Sequence, residues 1–135
     1  MNGVALASIR CRITASLRAS AIDDPARFKS SKQVGAHFGM TPKKYQSGET
    51  DYTGRISKIG DASVRAALYE SAHNMLTKPV KGCAELKSWA MRIARRAGMS
   101  KAKVALARKL AVIMHRMLVD GTRFNSAAKL AAAAA

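Results

Sequence analysis

The chain has 135 residues and no internal repeat, which is enough for one domain with a modest core. An apolar fraction of 48% excludes a disordered polymer, and no apolar run is long enough to span a membrane. Lys and Arg number 24 against 8 Asp and Glu, a formal net charge of +16; so large an imbalance repels itself in the compact state and points to a polyanionic partner, nucleic acid before an anionic membrane surface.

In chain order, Leu6, Ile9, Ile13 and Leu17 recur at helical spacing and predict a first helix over residues 4–19. The stretch AIDDPARF breaks it, with Asp23 or Asp24 as an N-cap and Pro25 suited to a first helical position. A short helix is expected over 31–38, ended by Gly39 and kept from restarting by Thr41-Pro42. Residues 43–58, with their Ser, Thr, Gly and charges and almost no hydrophobic pattern, read as a long polar loop. Asp61 then caps a long helix to Leu76 whose buried stripe is Val64, Leu68, Ala72 and Met75. KPVKG ends it.

A further helix over 84–97 turns Leu86, Trp89, Ala90 and Ile93 inward. GMS stops it, Ser100 is the expected cap of a last helix to Val119, and Gly121 its C-cap. Val104, Ala107, Leu110, Met114 and Met117 form that helix's inward stripe. With no alternating strand in view, the expected fold is all-α, a compact domain of about five or six helices with a long polar loop. The terminal KLAAAAA, residues 129–135, reads as a vector-derived tail on a domain of residues 1–128, and Met1 as an added start on a piece of a longer protein.

Charge is unevenly placed. Residues 81–123 carry 11 basic side chains against Glu85 and Asp120. Lys101, Arg108, Lys109 and Arg116 fall at spacings that share one face of the last helix, and Arg92, Arg95 and Arg96 form a patch on the helix before it. A run of charge is most often only a solvated face; here there is almost no acid to balance it, which favours contact with a phosphate backbone. SKIGDASVRAAL adds a second signal. A turn at Ile59-Gly60 followed by an Asp-capped helix is similar to half of a helix–hairpin–helix element, in which glycine lets backbone N–H groups approach a phosphate. The plain alternative is an ordinary capped helix start.

Within the polar loop, Ser47 lies between Gln46 and Gly48, with Lys43, Lys44, Arg55, Lys58 and Arg65 near in sequence. A serine beside glycine is usually a turn residue. A serine attacking a phosphodiester would need such cations on the non-bridging oxygens, together with a base or metal to take its proton. Glu49 and Asp51 are the available carboxylates. His37, His73 and His115 share no ligand spacing, and neither Cys11 nor Cys83 sits in a metal-binding pattern, so the cysteines are expected as small buried thiols in a reducing, cytoplasmic setting. Trp89 and the late methionines read as core.

The segments GAHFGMTP, YQSGE and GRISKIGD, at these intervals, resemble the C-terminal domain of bacterial insertion-sequence transposases, the DEDD-type recombinases related to the Piv invertase. The similarity runs from Ile22 to Phe124, through LKSWAMRIARRAGMSKAKVALARKLAVIMHRMLVDGTRF. It implies a transposase part that binds DNA in a bacterial cytoplasm, associated with the nucleoid, and supplies a serine for strand cleavage and exchange; that serine corresponds to Ser47, with Ser57 a weaker competitor. Some members of the family are guided by a bridge RNA, so a guide RNA is a second partner the resemblance allows. It also implies a RuvC-like domain elsewhere in the parent protein whose four acidic residues bind Mg²⁺; this chain itself holds no metal ligands or cofactor and is expected to be inactive alone. One departure is that ASIRCRITA stands where the family often has a glycine-rich PGVG-like hairpin. Two other readings stay open beside this one: a non-catalytic basic module that only binds nucleic acid, and an oligomerisation domain whose Leu/Met helices pack between subunits.

Overall fold

The computed structural model describes residues 25–79 and 83–121. The expected helix over 4–19, Cys11, the segment ASIRCRITA and the proposed tail lie outside them. Pro25–Arg27 forms a single 3-10 turn. Helix α1 spans Lys32–His37, and its last turn is closed by N–H groups of Phe38, Gly39 and Met40 bonding back to Val34, Ala36 and Gly35. Gly39 takes φ +69, the left-handed conformation that ends a helix without strain in a residue lacking Cβ.

Where a long polar loop was expected, the chain folds into two antiparallel strands. β1 covers Pro42–Ser47 and β2 covers Thr50–Ile56, paired in the register Lys44↔Thr53, Tyr45↔Tyr52, Gln46↔Asp51 and Ser47↔Thr50. Gly48 and Glu49 make the two-residue turn. Positive φ falls on Gly48 (+58) and not on Glu49, the pattern a type II′ turn requires. Nearer the base, Pro42 pairs with Ile56, so β2 carries one extra residue in a bulge that holds Gly54. There the Tyr45 ring lies over Gly54, where a Cβ would stand 3.1 Å from it.

Helix α2 spans Ala62–Thr77 and is capped as the sequence predicts: Asp61 Oδ1 accepts from the N–H of Ser63 at 2.8 Å and of Val64 at 3.4 Å. Helix α3 spans Ala84–Ala97 and helix α4 Met99–Asp120. Gly98 alone separates them, with φ +95, so it rather than Ser100 is the N-cap of α4, and Ser100 sits inside the first turn. Gly121 closes α4 in the left-handed conformation. Among the described residues there are thus four α-helices and a two-stranded hairpin, so the molecule is mostly helical but not all-α. The turn before α2 follows a strand, which makes the local unit strand–turn–helix rather than part of a helix–hairpin–helix.

The core lies where α2 and α3 pack on α4, with α1 across the same helix. Val34, Phe38, Val64, Leu68, Ala72, Leu86, Ala90, Leu106, Ala107 and Ala111 are buried there. Each large member stabilises the fold by about 1.5–3 kcal/mol through the area it removes from water. The expected stripe of α2 is found whole; on α3 Leu86 and Ala90 are buried, while Trp89 and Ile93, also expected inside, are only partly covered. On α4 the buried line runs through Ala102, Leu106, Leu110 and Ile113; Val104, expected inside, is half exposed. Cys83 is buried, and burial pushes its thiol pKa up. His115 is buried too, bonded through Nδ1 to Ser31 Oγ at 3.0 Å and meeting the Phe28 ring edge-on.

Candidate nucleic-acid interface

The junction between α1 and α2 fixes where the hairpin stands. Thr41 and Gly39 carbonyls accept from the N–H groups of Ser57 and Lys58, each at 3.0 Å, extending the strand pairing to the edge of α1. Gly39 and Gly60 let the two backbones touch. A Cβ on Gly60 would fall 2.3 Å from the His37 carbonyl oxygen, and one on Gly39 2.2 Å from that of Ile59. The open side of Gly60 is therefore filled by protein, a packing reason for glycine independent of any phosphate. Arg65 has a structural partner as well, its guanidinium donating to the Phe38 carbonyl at 3.2 Å at the end of α1.

This arrangement stands the hairpin beside α4 and leaves a groove of about 1020 Å³ between them. Residues 101, 104, 105, 108, 109, 112 and 116 form one face of α4 and line one wall. Strand β2 supplies the other wall through residues 52–56, and Ser30, Ser31, Met40, Pro42, Trp89 and Ser100 line the groove as well. Seven lining residues are cations: Lys32, Arg55, Lys58, Lys101, Arg108, Lys109 and Arg116. Among the described residues no carboxylate lines the groove. Six of those seven were named from sequence; Lys32 was missed because it lies far away in the chain and belongs to no charge run. Among the apolar members, Val104 and Trp89 were read as core. The spacing that puts Val104 three residues after Lys101 and four before Arg108 already placed it on the basic face.

Two side chains are held there in distinctive ways. Arg108 crosses over Gly35 of α1, its Cγ 2.8 Å from where a Cβ on that glycine would stand. Lys109 Nζ sits 4.0 Å over the Trp89 ring. Burial, and secondarily the positive Arg92 nearby, lower the Lys109 pKa from its ordinary value. Lys58 takes φ +56, the one described non-glycine residue in the left-handed region.

The remaining predicted residues lie elsewhere. Arg95 and Arg96 are exposed in the last turn of α3, where cations also suit the negative end of the helix dipole. Lys43 and Lys44 lie on β1, exposed like every residue of that strand. Ser47 is the last residue of β1, at the hairpin tip. Extended chain rises about 3.4 Å per residue, so five residues of β2 put Arg55 about 17 Å from the Ser47–Thr50 pair. Nearness in sequence within a loop had suggested a ring of cations around Ser47; the hairpin instead spreads Lys43, Lys44 and Arg55 along its length, with Lys58 beyond its base and Arg65 on α2. Alternation sends Asp51, opposite Gln46, to the face away from Ser47, and Glu49 lies in the turn. Ser57 is half-buried at the hairpin base. Among the described residues no three His, Cys, Asp or Glu side chains are grouped to hold a metal, and no helix is long and apolar enough to cross a membrane.

Residues 11–87 match the family model described as Transposase IS116/IS110/IS902 family. The chain is 34% identical over 100 residues to the transposase for insertion sequence element IS1111A of Coxiella burnetii, covering 73% of this chain and 27% of that protein. It is 32% identical over 113 residues to the transposase for insertion sequence element IS1328 of Yersinia enterocolitica, covering 84% of this chain and 34% of that one. The chain thus spans about a third of the length of these curated relatives.

Proposed function

The chain belongs to the IS116/IS110/IS902 transposase family, and we propose that it is the part of such an enzyme that grips DNA in the groove between the hairpin and α4 and offers Ser47 for strand cleavage and exchange. The observation that carries the first half is the lining of that groove, with seven cations and no carboxylate among the described residues. Cations along a groove neutralise successive phosphates and release counterions, which supplies affinity without reading sequence. A guide RNA would meet the same chemistry.

The second half draws support from the shape of the hairpin. A two-residue turn holds Ser47 at an exposed tip, where its own protein does not block an approaching phosphodiester. Attack by Oγ would form a serine–phosphate ester and release the hydroxyl end of the cut strand, with the serine proton leaving to a base. Asp51 lies on the face away from Ser47 and Glu49 in the turn beside it; that base, like the Mg²⁺ expected of the family, is assigned to a RuvC-like domain of the parent protein. The isolated chain then binds DNA without cutting it.

The distance from Ser47 to the groove favours a second reading, in which the chain only binds. Ser47→Ala in a full-length transposase carrying this segment separates the two. Lost recombination with unchanged DNA affinity supports the nucleophile; intact recombination removes it and leaves a binding module. A role in self-association has less behind it: the large exposed apolar side chains lie scattered over the hairpin, the 57–60 turn, α2 and the two ends of α4 rather than forming one face.

A further inference from the structure

We propose that the groove holds an unpaired DNA strand, with bases laid on its aromatic and aliphatic floor and phosphates on its cationic rim; this rests on the reading above that the groove takes DNA. Phosphate contact alone accounts for the rim and leaves the floor unexplained. Met40, Ile56, Val104, Ala105, Val112 and Trp89 line the same space as the cations. Apolar surface gains by burial only against an apolar partner. In a polynucleotide that partner is the face of a base, and a duplex hides its base faces in the stack. A duplex could reach the rim cations but would leave the floor wet; an unpaired strand can satisfy both.

Aromatic side chains stand on both walls. Tyr52 lines the hairpin side and is 62% exposed, so its ring is open to a base. Tyr45 lies next to it across the strands, ring centroids 6.2 Å apart and planes tilted by 30°. Trp89 lies at the α3–α4 side, with the Lys109 ammonium covering its ring. That lysine is half-buried and shares its surroundings with the like charge of Arg92. A phosphate arriving at the rim gives Lys109 a better partner than the indole, and its departure opens the ring to a base. Lys109 thereby acts as a placeholder that exchanges one partner for the other. The assignment of the strand to DNA follows the reading above that the groove takes DNA; Ser30, Ser31, Thr53 and Ser100 also line it and offer hydroxyl oxygens to a ribose 2′-hydroxyl, so the RNA arm of the test decides between the two.

Trp89 is the one tryptophan of the chain, so its fluorescence reports on the groove directly. The full chain is titrated with a short mixed-sequence DNA strand, with that strand annealed to its complement, and with an RNA strand of the same sequence. The unpaired DNA is expected to bind about tenfold tighter than the duplex and to quench Trp89. Tyr52→Ala, at an exposed position that leaves the melting curve unchanged, lowers single-strand affinity about tenfold and duplex affinity little. Trp89→Leu behaves alike when followed by an external label. Duplex binding as tight as the single strand, or single-strand binding indifferent to Tyr52→Ala, overturns the inference while leaving DNA binding in place. Tighter binding of the RNA strand overturns the assignment to DNA. Failure of all three to bind at low salt removes the DNA-binding reading itself.

Discussion

Gly35 shows how one missing side chain can set the position of a charge. It is buried in α1, and Arg108 passes over it on the way to the groove. Alanine is the better helix former by about 1 kcal/mol, so propensity favours Gly35→Ala. Its Cβ would collide with Arg108 Cγ and push the guanidinium aside. We expect a melting temperature within a few degrees of the parent and a loss of DNA affinity matching that of Arg108→Ala. A variant binding like the parent would mean that Arg108 does not touch the nucleic acid. Lys58 offers the complementary test. A left-handed conformation costs an L-residue about 1–2 kcal/mol, which glycine avoids at the expense of a more flexible unfolded chain. Lys58→Gly should therefore raise stability slightly while removing one phosphate contact, lowering the salt slope of binding by about 1. Lys58→Ala should lower the slope equally without the gain in stability. Strain retained under a charge that lines the groove fits a position kept for binding. Neither feature was legible in the sequence: the crossing of Gly35 by Arg108 joins residues 73 apart, and nothing local marks Lys58 as left-handed.

At the scale of elements, the helices were legible and the hairpin was not. Apolar spacing located α2 and α3, and Asp61 and Gly121 marked ends that the structure confirms, because capping chemistry is local. The hairpin escaped because both faces are polar or exposed, so no hydrophobic alternation runs through it. Its signal was there in another form: a Gly-X pair at 48–49 centred between Tyr45 and Tyr52, with Thr50 and Thr53 on the second strand. Gly48 is the hinge of that reading. Gly48→Val places a β-branched residue at φ +58, a conformation it resists, at a turn where an added Cβ meets nothing within 4 Å. Since β1 is exposed throughout, the helical core should melt as before. Amide exchange across residues 42–56 should rise, and recombination by the full-length enzyme should fall toward that of Ser47→Ala. Unchanged exchange would show that the turn does not hold the hairpin together.

On the scale of the whole molecule, the net charge was the clearest message of the composition, and the fold gives much of it one address. Cations from α1, β2, the following turn and α4 converge on the groove, although they span residues 32–116. A sequence shows which helix face is basic; it does not show that a hairpin stands opposite and makes that face a wall. If most of the seven cations meet phosphates, log Kd for a single strand should change with log salt at a slope approaching about 5. Arg95→Ala and Arg96→Ala, away from the groove, should leave the slope nearly unchanged, while Lys101→Ala and Arg116→Ala should each lower it by about 1. Equal losses from all four would mean that the molecule binds through its diffuse field and not through the groove. The same geometry limits the chemistry: with Ser47 about 17 Å from Arg55 along the strand, a phosphate gripped at the hairpin base is not the one the serine would attack. The reacting phosphate must lie several nucleotides along the strand, so shortening a bound strand on the hairpin-tip side should abolish covalent capture while leaving groove affinity largely intact.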